Sequence, residues 1–413
     1  MLRHALGMAW KVLGRRKVFT GISLFGISFT LAVLMLAAAL LDHVFGAQPP
    51  ETRLGRTLGI YGLGMVGESA SSTGFPGYRF LESHARDLPA VERESFFRNL
   101  GWITAYHRGR KLTYWLKRTD GAFWQILEFD FVEGGPFAAE DVDRARRVAV
   151  INASTRDAFF GGGPAVGRTV DVEGAPHEVV GVVRDVPFLR FTPFADVWAP
   201  LTTAPNDAWR DEVRGDFQAI LLARSRADFP EIKAVFAHRI AEAVPPPGEF
   251  DRYHAGADTY FEFVSRAVFS SQADASHPAR LRALLATAAV LFMLLPSLNL
   301  VNLNLSRILE RSGEIGVRKA FGASARALTG QFLVENIVLT LLGGAAGLVL
   351  AALALAGLES TGWIPHADFR LNLRIFAWGL ALALGFGLLS GVYPAWRMSR
   401  LDPVQALRKR TSR

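Results

Sequence analysis

Two glycine-rich runs and a scatter of histidines are the places in this 413-residue chain where chemistry could reside. Gly62-Leu63-Gly64-Met65-Val66-Gly67 satisfies G-x-G-x-x-G, the spacing that lets a backbone approach a dinucleotide pyrophosphate at a helix N-terminus. The next residues are rich in Ser, Gly and Pro instead of helical, so the run reads as a loop. Gly162-Gly163-Pro164-Ala165-Val166-Gly167-Arg168-Thr169 nearly matches a phosphate-binding loop, with Arg168 where the phosphate-contacting lysine belongs. A helix is expected before it and a strand after it, the reverse of the required order, so it reads as a turn. The nine histidines form no H-E-x-x-H and no cluster at metal-ligand spacing, and no serine occupies a nucleophile elbow. Asn152-Ala153-Ser154 is a glycosylation triplet in pattern only. With no cysteine, disulfides and Cys-ligated metal sites are excluded. The expectation is a non-catalytic chain with no cofactor or metal of its own.

One constellation survives. Between residues 307 and 328, Ile315, Ala320, Phe321 and Leu328 supply apolar surface among Arg318, Lys319 and Arg326, a short amphipathic helix ended near Gly322. Glu314 and Arg318, at i and i+4, share one of its faces. Such a helix either lies flat on a bilayer or docks into a groove on a cytoplasmic partner.

The elements that position this segment follow from where charge is missing. Only 20% of the residues are charged, against about 25% in ordinary soluble domains, and mean hydropathy is +0.20. Charged residues are absent from Val18 to Leu41, Ala283 to Ser306, Asn336 to Leu358 and Ile375 to Trp396, runs of 24, 24, 23 and 22 residues. At 1.5 Å per residue each spans roughly 33–36 Å, enough to cross a hydrocarbon core of about 30 Å. From Asp42 to Arg280 the longest uncharged run is eleven residues, Thr57 to Gly67, too short to cross. Composition therefore excludes a soluble enzyme and predicts an α-helical membrane protein with four transmembrane helices plus a large α+β extracytoplasmic domain.

Charge sign sets the orientation. Residues 1–18, 306–328 and 397–413 carry +5, +3 and +5, so with a total of +8 the rest of the chain carries −5. By the positive-inside rule both termini and the 306–328 loop are cytoplasmic and the 42–280 region lies outside. The basic balance is a topology signal, not a nucleic-acid footprint. The first block has a basic flank and small residues at Ala37-Ala38-Ala39, as a signal peptide would, but its 24 residues exceed an h-region of about 7–15 and fit an uncleaved anchor. Before it, Leu2, Leu6, Ala9, Trp10 and Leu13 describe either a basic amphipathic helix in the interface or a frayed terminus.

The expected organisation is an N-terminal amphipathic helix (1–17), spans at 18–41, 281–306, 329–358 and 375–396, a cytoplasmic coupling loop (307–328), a short outer loop (359–374), and a cytoplasmic tail (397–413). Within 42–280, strands are expected at Thr57 to Tyr61, Lys111 to Lys117, Arg147 to Ile151, Thr169 to Val172 and His177 to Val183. Helices are expected at Tyr78 to Asp87, Ala153 to Phe160 and Ala227 to Ala243. A β-rich subdomain covering roughly 141–210 is expected as an insertion. In the spans, Pro296 with Asn299, Asn302 and Asn304 predicts a kinked, interhelically hydrogen-bonded helix. Gly343-x-x-x-Gly347 and Gly387-x-x-x-Gly391 predict closely packed faces, used within a bundle or between two copies. Glu335 reads as a residue snorkelling at the edge of the third span, ahead of a buried functional carboxylate.

The residues Glu314-Ile315-Gly316-Val317-Arg318-Lys319-Ala320-Phe321-Gly322-Ala323-Ser324, followed by Gln331-Phe332-Leu333-Val334-Glu335 and Gly343-Gly344, resemble the signature of FtsX/MacB-type permeases of ABC transporters. Tyr393-Pro394-Ala395-Trp396-Arg397 with Leu401 to Arg408 resembles that family's C-terminal ending, and Val148 to Pro187 its periplasmic core domain. The resemblance implies a mechanotransmission permease in the bacterial inner membrane, with a large periplasmic domain. It implies a pair of permeases, each resting residues 314–324 on a cytoplasmic ABC ATPase subunit. The chain shows no nucleotide-binding domain, so ATP and Mg are expected on that separate subunit. A periplasmic adaptor and membrane lipid are the remaining expected partners, with no nucleic acid. Export or efflux of peptides, antibiotics or lipoproteins is the implied activity; the alternative is a signalling module that activates a periplasmic partner such as a cell-wall hydrolase.

The orientation is directly testable in a cysteine-free chain. A single cysteine at Ser271 should label with an impermeant maleimide in intact spheroplasts, and one at Ser412 should label only after lysis; the reverse pattern would overturn the topology.

Overall fold

Long uncharged sequences free of proline have no low-energy alternative to helix in an apolar medium, because every backbone amide must find a partner within its own segment. In the computed structural model, which describes residues 17–107, 109–269, 276–310, 317, 321, 324–362, 366, 369, 373–374, 376–385 and 388, the first such stretch is helix α1 (Lys17–Phe45). The segments Thr20–Phe45 and Leu333–Thr361 are long and apolar enough to cross a membrane, with mean hydropathies of 2.5 and 2.4. The second expected span falls within a 33-residue helix, Pro278–Glu310, which continues through Pro296. The fourth falls on a shorter apolar helix, Phe376–Gly385.

The chain divides into two compact units: Met1–His43 with Ala283–Trp363 and Asp368–Arg413, and Val44–Arg282 with Ile364–Ala367. In the first, Ile27 and Leu31 of α1 form an apolar cluster with Met293 and Ala383.

The second unit is α+β. Strands β1 (Thr57–Ile60), β2 (Leu63–Val66) and β3 (Ser71–Pro76) lead to helix α2 (Tyr78–Ala85). A long hairpin comes next, β4 (Val91–His107) and β5 (Arg110–Thr119), in which Trp102 stands opposite Trp115. After a four-residue helix α3 (Phe123–Ile126) come β6 (Phe131–Gly134), α4 (Ala139–Asp143), β7 (Val148–Asn152), α5 (Ala153–Phe160), β8 (Thr169–Val172), β9 (Ala175–Val183) and β10 (Val197–Pro200). The unit closes with β11 (Arg214–Gly215), β12 (Phe217–Ala223), α6 (Phe229–Glu242), β13 (Arg252–His254) and α7 (Tyr260–Val268). The apolar helices already described are α8 (Pro278–Glu310) and α9 (Ala325–Thr361).

Nine strands form one sheet in the order β1-β12-β4-β5-β10-β7-β9-β6, with β8 paired to β9; a second sheet runs β11-β3-β2-β13. Most neighbours are antiparallel, while β5–β10 and β7–β9 are parallel. The 141–210 stretch contributes β7 to β10 to the large sheet itself. Helices α2 and α6 cover one face through Phe80, Leu81, Ile232 and Phe236; a second apolar cluster centres on Phe97, Phe123 and Trp198.

Local signals explain the element boundaries. Asn152 caps α5, accepting from Thr155 N at 2.8 Å, and Gly161 at φ +67° ends it, a left-handed position that side chains disfavour. Thr259 and Glu262 form a capping box at α7, and Pro245 comes just after the end of α6. One expectation is corrected. Gly62 to Gly67 is not a loop: it carries β2, because Leu63 and Met65 alternate as buried residues between glycines and so place one face of a hairpin in the core.

Tyr114 on β5 is 2% exposed, donates to Asp171 O at 2.8 Å, and is pushed up to about 12 chiefly by burial. Because its folded pKa lies above the unfolded value near 10, its contribution is complete below pH 10 and is lost as pH rises toward 12. Tyr114→Phe should therefore be less stable than the parent by about 1 kcal/mol at pH 8. Urea unfolding of the two proteins should converge between pH 10 and 12; a gap that stays constant would contradict the assignment.

The candidate functional site: a buried junction within the large unit

The large unit takes in the last two residues of α1 and the first five of α8, and both passages of the chain contact α7. Phe45, the last residue of α1, packs its ring 5.8 Å from Tyr260 and 5.1 Å from Phe261, at the start of α7. Tyr61, after β1, lies 5.6 Å from the Tyr260 ring and 5.1 Å from Phe263. On the outgoing side, His277 N donates to Ser265 Oγ on α7 at 3.0 Å.

Charge fastens the incoming side. Arg190, whose side chain is 1% exposed, donates to Gly46 O at 3.0 Å, to Gln48 O at 3.4 Å and to Glu51 Oε2 at 3.0 Å. Lys117 on β5 is fully buried beside them and donates to Phe191 O at 3.1 Å and to Thr192 O. Its Nζ lies 5.0 Å above the Phe97 ring. Burial drives the Glu51 carboxyl up, against the pull of Arg190 and Lys117, and drives the Lys117 ammonium well below its ordinary range, against the pull of Glu51. Tyr61 and Tyr260 are raised by burial first, and the Glu51 charge adds to both shifts.

The charged groups Glu51, Lys117 and Arg190 line no substrate-sized space: the gap beside Glu51, Thr192 and Ile220 holds only about 10 Å³. The arrangement is mechanical. It ties residues 46–51 and 187–194 into one packed body with the start of α7. A further contact comes from His366 on the short 364–367 segment, whose Nδ1 lies 3.6 Å from Asp185 Oδ2. Sequence reasoning missed this junction because Glu51, Lys117 and Arg190 are scattered over 140 positions and each is an ordinary surface residue by type.

The residues singled out from the sequence are placed unevenly. Of residues 314–324, Val317, Phe321 and Ser324 are described, and the rest lie outside the described residues, as do Gly387 and Gly391. Phe321 N donates to Val317 O at 3.0 Å, one helical turn, and the two side chains are 88% and 44% exposed. Gly343 and Gly347 lie on α9 against α1. A Cβ on Gly343 would stand 2.7 Å from Ile27 Cγ2, and one on Gly347 2.9 Å from Ser28 O. Glu335, expected at an exposed edge, is instead 3% exposed beside the buried Asn336 and Thr340. The Gly162 to Thr169 run joins α5 to β8 as a turn.

Removing the guanidinium alone would strand a desolvated carboxylate. Arg190→Met should cost about 3–5 kcal/mol, and adding Glu51→Gln should restore more than half of it. The readout is the melting temperature of the purified protein by circular dichroism. A single variant that melts within about 2 °C of the parent, where about 2–4 °C per kcal/mol is expected, would contradict this role.

Residues 20–238 match the family described as MacB-like periplasmic core domain, and residues 286–403 match FtsX-like permease C-terminal. The pyoverdine export ATP-binding/permease protein PvdT of Pseudomonas aeruginosa is 27% identical over 98% of this chain and 58% of that protein. The macrolide export ATP-binding/permease protein MacB of Pasteurella multocida is 28% identical over 69% of this chain and 41% of that protein. The ABC transporter permease YvrN of Bacillus subtilis is 26% identical over 70% of this chain and 68% of that protein. The chain thus spans about half the length of the first two relatives. The periplasmic region of MacB from Actinobacillus actinomycetemcomitans superposes with a TM-score of 0.37 at 13% identity, covering 53% of this chain and 94% of that one. On its sequence matches, the chain belongs to the MacB/FtsX family of ABC transporter permeases, inner-membrane proteins with a MacB-like periplasmic domain.

Proposed function

We propose that this chain is the permease of an export system in which a separate cytoplasmic ATPase moves the periplasmic domain by mechanotransmission. The observation that carries the reading is helix α7, which meets the incoming passage through the rings of Phe45, Tyr260 and Phe261 and the outgoing one through the His277–Ser265 bond, while Arg190 fastens residues 46–51 to the large unit. Four membrane spans with both termini cytoplasmic belong to this reading, as do a paired permease, a periplasmic adaptor and contact with membrane lipid. The coupling surface is residues 314–324. Support for it comes from Val317 and Phe321, two exposed apolar side chains one helical turn apart. Gly343 and Gly347 act as packing positions of the helix bundle, and Gly387 and Gly391 are assigned the same role from their spacing. The relatives that export pyoverdine and macrolides support efflux as the direction of transport.

Reversing charge on the coupling face separates docking from simple attraction to lipid. Loss of one basic residue costs about 1 kcal/mol of membrane attraction, so a helix lying on the bilayer treats all basic residues alike. Arg318→Glu and Glu314→Arg should abolish co-purification of the ATPase at matched membrane levels, while Arg326→Glu retains it. Equal and mild effects of all three would overturn the coupling assignment.

A further inference from the structure

Beside the junction, and sharing Tyr61 and Phe263 with it, the large unit holds a cavity of about 480 Å³. Its walls are the β2–β3 hairpin, the loop after β13 and the outer side of α7. Leu63, Val66, Phe75 and Phe263 make it mainly apolar. Glycines hold it open: a Cβ on Gly62 would meet only Phe263 Cε2 at 3.6 Å and Gly74 O at 3.7 Å, so a longer side chain there must occupy the space.

Its polar lining comprises Tyr61, Ser71, Thr73 and His254 together with one ion pair, Asp258 with Arg266. Arg266 donates through Nε at 3.1 Å and Nη2 at 2.9 Å, both to Oδ2 of Asp258, whose side chain is 8% exposed. The Asp258 backbone is fixed by two bonds with Gly59, at 2.8 and 2.9 Å. Among the described residues, Oδ1 of Asp258 receives no hydrogen bond and Nη1 of Arg266 gives none. Asp258 and Arg266 are, among the described residues, the only carboxylate and the only guanidinium or ammonium group lining the cavity, so their charges balance. An unused carboxylate oxygen beside unused guanidinium N–H groups, with the two charges already paired in a mostly apolar cavity of ordinary ligand size, suits a group that donates and accepts at once.

We propose that this cavity binds an uncharged apolar molecule bearing an amide, its N–H on Asp258 Oδ1, its carbonyl on Arg266, and its apolar part among Leu63, Phe75 and Phe263. A carboxylate head would meet Asp258 and an ammonium head would meet Arg266, each with its own charge left unmatched in an apolar space. Peptides and N-acyl lipids both supply the amide. The site goes beyond the transport reading, since binding needs neither an ATPase nor coupling through residues 314–324.

The test is equilibrium dialysis of the full chain in lipid nanodiscs, with empty nanodiscs as background. The radiolabelled probes are N-acetyl-leucyl-leucinamide, dodecanamide, dodecanoate and dodecylamine. Saturable binding of either amide at least tenfold tighter than the two charged probes is the expected result, and the amide that binds names the source. Ala267→Trp, at an exposed position on α7 lining the cavity, and Gly62→Leu should each weaken that binding at least tenfold while the melting temperature holds. Absence of amide binding, equal binding of the charged probes, or amide binding unchanged in whichever variant folds would overturn the proposal.

Discussion

A guanidinium with 1% of its side chain exposed has to find its partners inside the protein, and Arg190 finds three of them on the six residues that come after the first apolar helix. That requirement organises its surroundings. Glu51 must be buried to meet it, burial of Glu51 favours a second cation nearby, and Lys117 fills that place from the centre of the large sheet. Each charge would be costly alone in a dry interior, and together they are tolerated. A hydrophobic cluster of the same size would hold these segments as firmly but would fix them less uniquely, because carbonyls of Gly46, Gln48, Phe191 and Thr192 accept from particular nitrogens.

Much of the architecture was legible in the sequence where one rule dominated. Absence of charge over more than twenty residues marked the apolar helices, and Asn152 with Gly161 bounded α5 at the expected residues. Thr169–Val172 was found because its alternation is clean. The two strands at the heart of the sheet escaped. β12 reads FQAILLA and is buried at all seven positions, so it has no alternation to detect. β4 carries Arg93, Glu94, Arg98 and a register shift near Gly101, which break the pattern a strand would display. The β2–β3 hairpin was hidden by glycine, whose lack of a side chain erases the very periodicity that would reveal it.

The candidate positions divide along the same line. Gly343 and Gly347 share a face of one helix, a proximity that spacing encodes within a single turn. Long-range pairs such as Glu51 with Arg190, or Asp258 within the cavity, are brought together by sheet order and leave no local trace. Glu335 illustrates the limit from the other side. Its position at the end of an uncharged run suggested an exposed boundary, yet it is buried together with Asn336 and Thr340.

Strand order also sets a timetable. β1 has a single ladder partner, β12, and β4 is flanked by β12 on one side. More than 150 residues separate Ile60 from Phe217, so at a synthesis rate of about 5–20 residues per second β1 waits roughly ten to thirty seconds for the strand that completes it, and β4 somewhat less. During that interval their open edges are available to other nascent chains. For a domain that must also be carried across a membrane, the long β4–β5 hairpin has a second value: it can close on itself during the wait and leave bare only the edges that β12 and β10 will later cover.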